Sequence, residues 1–318
     1  MERGIFTLSL DFELIWGTLD IFGPKGFRNI CEVEKKEVID RLLKLFVDFN
    51  VSATWCVLGH LFLGCCRERN GKKHQEIKRP NYSWHKKDWF TYDPCSSEEK
   101  APIFYGRGLV NKICACEVPQ EIGCHSFSHI IFGDPGCGRE TADSEIAACV
   151  RLAEKEKITL RSFAFPRNDV GHLDVLKKYG FTCYRGPEPR WYNSCKLPHF
   201  LKRAGHLLDI LTANEPPVVI PQITASGLWN IPASMMYFPM HGVRRFIPIS
   251  FRVNRAIKGL EAAARQKKIF HLWFHPTNLA DQMDKMFKGL STILECVSDL
   301  RKKGKMDVRP MGALVPMS

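Results

Sequence analysis

The chain has 318 residues, of which 45% are hydrophobic and 25% charged, so it has too much apolar surface to be mainly disordered. With 46 Lys and Arg against 34 Asp and Glu it carries a formal net charge of +12, which favours anionic partners without naming one. Its densest apolar run, Trp55 to Cys66, is short for a bilayer and carries His60, which excludes a membrane span there.

Met1-Glu2-Arg3 leads directly into a strand-like stretch, Gly4 to Leu10, with no apolar leader or cleavage site, so a cytoplasmic location is expected. A helical pattern follows, with Val38, Leu42, Leu45, Phe46 and Phe49 on one face, and then a strand over Ala53 to Val57. Residues 64–104 are polar and broken by Asn70-Gly71, Pro80, Pro94 and Pro102, a long insertion of the kind that forms lids or binding surfaces. Its basic part, Arg67 to Lys87, and the cluster Arg301 to Lys305 read most simply as solvated charge.

Further strands are expected at Glu121 to Cys124, Leu160 to Phe165, Thr182 to Tyr184, Val218 to Ile220 and Ile269 to Phe274. Helical patterns lie between them: Ile146, Val150 and Ala153; Leu173 to Leu176, closing at Gly180; Val253 to Lys267; and Asp284 to Lys303. Strand and helix alternate, which implies an α/β fold with parallel strands: a distorted (β/α) barrel of about seven or eight strands. One domain, 1–318, is expected, with a second insertion at 187–250. The cysteine count, 13, is odd, and pairs such as Cys65-Cys66 and Cys114-x-Cys116 lack zinc-knuckle spacing, which suits a reducing compartment.

Three motifs carry chemistry. Ser9-Leu10-Asp11-Phe12-Glu13 ends the first strand, where two carboxylates two residues apart share a face. His125-Ser126-Phe127-Ser128-His129 follows another strand; if the chain turns helically there, both imidazoles reach one ion, and two imidazoles with one carboxylate make a catalytic zinc set. His275, just past the strand Ile269 to Phe274, suits a general acid, whereas His271 within it reads as a hydrogen-bonded core residue.

In that order, the first-strand acids, His125-Ser-x-x-His129, Phe165-Pro166-Arg167-Asn168 and His275 resemble the polysaccharide deacetylases of carbohydrate esterase family 4, the nodulation-factor deacetylase homology domain. Phrases such as Ser9-Leu10-Asp11-Phe12-Glu13-Leu14-Ile15-Trp16-Gly17 look like an intracellular, acid-x-acid branch. The resemblance covers nearly the whole chain. It implies a divalent ion, usually zinc, that removes an acetyl group from an N-acetylated sugar or glycan precursor. It also implies Asp11 as base, His125 and His129 as ligands and His275 as acid. Phe12 stands where the family has its metal-binding aspartate, so Glu13 becomes the candidate third ligand by this reading, with Asp11 as the fallback carboxylate. Arg167, which follows Pro166 instead of preceding it, is expected to tether Asp11. No counterpart is evident for the Asp and Trp that orient the acid histidine.

Trp16, Trp89, Tyr184, Arg185 and Trp191 are the candidate substrate contacts, since aromatic faces suit sugar rings and Arg suits phosphate or carboxylate; packing under a loop is the alternative for each. A sugar linked to a nucleotide or lipid phosphate would suit the net charge, as would weak association with a membrane surface. The competing readings are a deformylase or allantoinase-like amide hydrolase on the same scaffold, and a barrel that only binds carbohydrate. Nucleic acid is not expected, for want of a recognition motif.

Overall fold

The computed structural model describes residues 1–189 and 214–316; Trp191 lies outside them. Its strands are β1 (Gly4–Phe12), β2 (Thr54–Val57), β3 (Glu121–Cys124), β4 (Ser162–Ala164), β5 (Cys183–Gly186), β6 (Gln222–Ile223), β7 (Trp229–Pro232), β8 (Met235–Met236), β9 (Ile269–Phe274) and β10 (Met306–Val308). The helices are α1 (Leu19–Gly26), α2 (Arg28–Val33), α3 (Ile39–Asp48), α4 (Arg107–Cys114), α5 (Arg139–Lys155), α6 (Leu173–Lys178), α7 (Ile249–Gln266) and α8 (Met283–Lys302).

The strands make one curled sheet in the order β6-β7-β5-β4-β3-β2-β1-β9-β8, parallel except where β6 meets β7. β7 and β8 are parts of one extended segment. Ala233 donates to the Gly186 carbonyl at its β5 edge, and Ser234 donates to the His271 carbonyl at its β9 edge. That segment therefore joins the two ends of the sheet, giving a distorted (β/α) barrel. The distortion shows at β1, whose first residues pair with β10 (Gly4↔Met306) and whose last pair with β2 (Ser9↔Thr54). Val218 to Ile220, expected as a strand, makes only a single bridge, Val219↔Ile269.

β1 is buried along its whole length, as a strand covered on both faces must be. Phe6, Leu8, Leu10 and Phe12 join the main apolar cluster. By the period of two, Thr7, Ser9 and Asp11 face the other way, and there they find polar partners: Thr7 donates to the Arg309 carbonyl, and Ser9 pairs with His271. Parallel pairing also sets the level of the strand ends. With Leu10 opposite Phe274 and Val57 opposite Cys124, the residues after β1, β3 and β9 gather at one rim, the carboxyl ends where barrels carry chemistry. Among the described residues no helix is long and apolar enough to cross a membrane, and no disulfide joins the described cysteines.

Candidate metal centre and active site

At that rim the Nε2 atoms of His125 and His129 lie 3.1 and 3.2 Å from the same oxygen, Oε2 of Glu13. All three residues are buried. His125 donates from Nδ1 to the Ala164 carbonyl at 2.8 Å, so a neutral ring turns the lone pair of Nε2 toward the carboxylate. Two acceptors then face one another, an arrangement resolved by a cation between them or by a further proton. Two imidazoles and one carboxylate are also a donor set that zinc favours, so the residues fit a divalent ion. Gly17 makes room for Glu13: a Cβ there would stand 1.8 Å from its Oε1.

The histidine loop is not helical. Ser126 (φ 62°) and His129 (φ 65°) both take left-handed conformations, which corrects the helical turn expected from the four-residue spacing. Buried Glu145 of α5 holds the turn instead. Its carboxylate accepts the amides of Phe127 and Ser128 at 2.8 and 2.9 Å and the Ser128 hydroxyl at 2.5 Å. Burial nevertheless pushes its pKa up to about 7.

Asp11 sits beside this cluster in a bidentate pair with Arg185, at 2.7 and 2.6 Å. Arg185 lies in β5, fully buried, and also donates to Ser9 and Asn168, with its guanidinium 4.3 Å from the Trp273 ring centroid. Burial alone would raise the Asp11 carboxyl; the attraction of Arg185, with His125 and His275, outweighs it and holds the group below the ordinary range. His275 completes the group, its Nε2 3.7 Å from Asp11 and 3.5 Å from Glu13, with the Trp273 ring 5.7 Å away. It is the most exposed of the five, at 23%. His271 is a core residue between Ser9 and the Pro232 carbonyl, its pKa lowered to about 3 by burial and then by Arg185.

The remaining expectations divide. Arg167 does not reach Asp11: left-handed conformations at Arg167 and Asn168 turn it toward Asp20, with which it pairs. Arg185 takes the tethering place and, being buried, is not a surface for substrate. Trp16 is buried and donates to the Phe104 carbonyl, and Tyr184 is buried against Phe165, so both pack within the protein. Trp89 is half-buried and donates to the Ser128 carbonyl, next to His129. Trp84, missed in the sequence, is 46% exposed beside it, its indole held by Asp134 and its ring 5.6 Å from the Arg167 guanidinium. Glu145 was also missed, since a lone acid in an amphipathic helix gives no signal.

Neither a protein-family profile nor a curated protein sequence matches the chain. Solved structures do. A Mycobacterium smegmatis protein assigned as a polysaccharide deacetylase superposes with TM-score 0.58 at 12% identity, covering 97% of this chain and 94% of its own. A protein from Pseudomonas aeruginosa PAO1 with the same assignment gives 0.58 at 11%, covering 98% and 88%. PuuE allantoinase gives 0.55 at 10%, covering 98% and 87%. The fold is therefore the one on which polysaccharide deacetylases and an allantoinase are built.

Proposed function

We propose that the chain is a metal-dependent hydrolase that removes the acetyl group from an N-acetylated sugar or glycan precursor. The observation that carries this reading is the convergence of Glu13, His125 and His129, with Asp11 and His275 on the flank of the same cluster. Glu13, His125 and His129 would hold one divalent ion, zinc by its preference for such donors. When bound, it polarises the amide carbonyl and acidifies a water.

The protein's own groups do the rest. Asp11, kept ionised and aimed by the Arg185 fork, accepts the proton of the attacking water. His275, at the open side, gives a proton to the departing amine. Trp273 limits the swing of the His275 ring, and Glu145 fixes the loop that presents His125 and His129. Half-buried Trp89, with exposed Trp84 stacked on Tyr82 beside it, offers an aromatic wall for a sugar ring near His129, which supports a sugar over a small ureide.

The test measures acetate release from N-acetylglucosamine oligomers by the metal-loaded chain, beside formylated amino sugar and allantoin. Acetate release that is lost, together with one equivalent of ion, in Glu13→Gln and His125→Ala supports the reading. Hydrolysis of allantoin alone overturns the substrate, and full turnover by the metal-stripped chain overturns the mechanism.

A further inference from the structure

Between β2 and α4 the chain runs from Leu63 to Gly106 with no helix or strand of its own. Such a segment lacks a backbone ladder, so side chains must hold it. Part of its basic charge does so: Lys73 donates to the carbonyls of Phe90, Thr91 and Asp93, and Arg79 to those of Lys73, His74 and Ile77. At its centre stands a group made of buried His60, His74 and Asp93 and half-buried Cys66, whose four donor atoms all lie within 4.8 Å of one another.

We propose that these four side chains form a second metal site, a structural zinc site that fastens the Leu63–Gly106 segment to the barrel. His60 follows β2, is fully buried, and directs Nδ1 to the Phe104 carbonyl at 3.0 Å. A neutral ring bonded in this way turns the lone pair of Nε2 inward, and that atom has no hydrogen-bond partner. It faces Oδ2 of Asp93 at 3.3 Å, acceptor against acceptor, as His125 faces Glu13. A buried unpartnered atom of this kind costs free energy unless something fills the space.

The spacing suits a tetrahedral ion. Zinc bonds of about 2.0–2.3 Å place neighbouring donors roughly 3.3–3.7 Å apart. Asp93 Oδ2 lies 3.3 Å from His60 Nε2 and 3.6 Å from Cys66 Sγ. The shorter 2.7 Å approach of His74 Nε2 to Asp93 is a hydrogen bond that metal binding would replace. One thiolate and one carboxylate cancel the charge of a dication, so the filled site is neutral, as a buried one should be. Two imidazoles, a thiolate and a carboxylate fill four positions and leave none for water, the arrangement of a structural site. Around it, the Tyr105 hydroxyl stands 3.2 Å from Cys66 Sγ and 3.5 Å from Asp93 Oδ1. Phe127, between the two histidines of the first cluster, packs on both His60 and His74, so the second site braces the loop of the first.

The experiment uses the full chain expressed in minimal medium supplemented with zinc or with cobalt. The zinc protein should carry two equivalents per chain by elemental analysis, falling to one in Cys66→Ser and to one in Glu13→Gln. The cobalt protein should show a near-ultraviolet thiolate-to-cobalt band that survives in Glu13→Gln and disappears in Cys66→Ser. Wild-type cobalt protein without that band overturns the proposal whatever the variants do, and so does a band that persists in Cys66→Ser. A chain whose sole ion is lost with Cys66 keeps this site and removes the first one, so the two readings fail separately. A chain with one ion, lost in Glu13→Gln and kept in Cys66→Ser, leaves the second cluster a hydrogen-bonded network and rejects the metal.

Discussion

Two histidine clusters stand back to back across Phe127, and they differ in what surrounds them. The first offers three donors, Glu13, His125 and His129, with Asp11 and His275 a few ångströms away and the His275 side chain partly exposed. The second offers four donors of three kinds in a loop-built shell, with three of the four residues buried and Cys66 half-buried, and with the Tyr105 hydroxyl, the Cys95 amide and the Glu76 carboxylate around them. Both use a backbone carbonyl to fix a histidine tautomer, Ala164 for His125 and Phe104 for His60. The shared device prepares a lone pair for a cation; the number of donors and the neighbouring acid and base decide whether chemistry can follow.

The contrast is sharpest if activity responds to one cluster and melting to the other. His125→Ala should reduce acetate release at least about a thousandfold with little change in melting temperature, since a catalytic ion supplies most of the transition-state charge stabilisation. Cys66→Ser should do the reverse, lowering the melting temperature by several degrees and turnover by only a few-fold; equal losses of both in either variant would merge the two sites into one. Asp11→Asn should retain the first ion while kcat falls on the order of 10²–10⁴-fold. Because it leaves Arg185 a buried cation without its anion, it should also cost roughly 3 kcal/mol of stability by denaturant melting. If Asp11→Asn loses the ion and Glu13→Gln keeps it, their roles are exchanged.

Smaller changes test the supports. Gly17→Ala sets a methyl group where the Glu13 carboxylate stands, and affinity for the first ion should drop about 10–100-fold by competition titration, the usual scale for disturbing a ligand's surroundings. The smallest effect belongs to Glu145→Gln. The native Glu145 carboxyl, pushed up to about 7, holds its proton more tightly than the unfolded chain does. Wild-type stability should therefore fall as pH rises from the ordinary carboxylate range through about 7. Glutamine still accepts the two loop amides and has no charge to lose, so that slope should flatten while turnover at neutral pH changes less than threefold. An unchanged slope would mean that the Glu145 carboxyl titrates as an exposed one.

Much of the rim was legible because it follows strict local rules. A buried, mostly apolar strand closing on Asp11 and Glu13, and a histidine pair directly after β3, announce themselves by period and by position. What stayed hidden depends on distant pairing. Arg185 reaches Asp11 only because β5 curls round the barrel, and Arg167 misses it because two successive left-handed residues turn the chain away. Trp16 and Tyr184 looked like sugar platforms until burial showed them as packing. The second cluster was unreadable by spacing: Cys66 stands next to Cys65 without zinc-knuckle spacing, and His60, His74 and Asp93 are scattered along the chain with no regular interval between them. Of its members only His60 stood out, as a histidine inside an apolar run.

Arg185 also ties function to the order of assembly. It binds Asp11, 174 positions away in the chain, together with Ser9 and Asn168, and it lies under Trp273. Contacts so far apart in sequence demand closure of long loops before they return any stabilisation, so they form late. A chain refolding from denaturant would regain helix and compactness first, with Asp11 not yet aimed. Turnover should return only with the slowest phase, which makes the reaction itself a clock for the closing of the barrel.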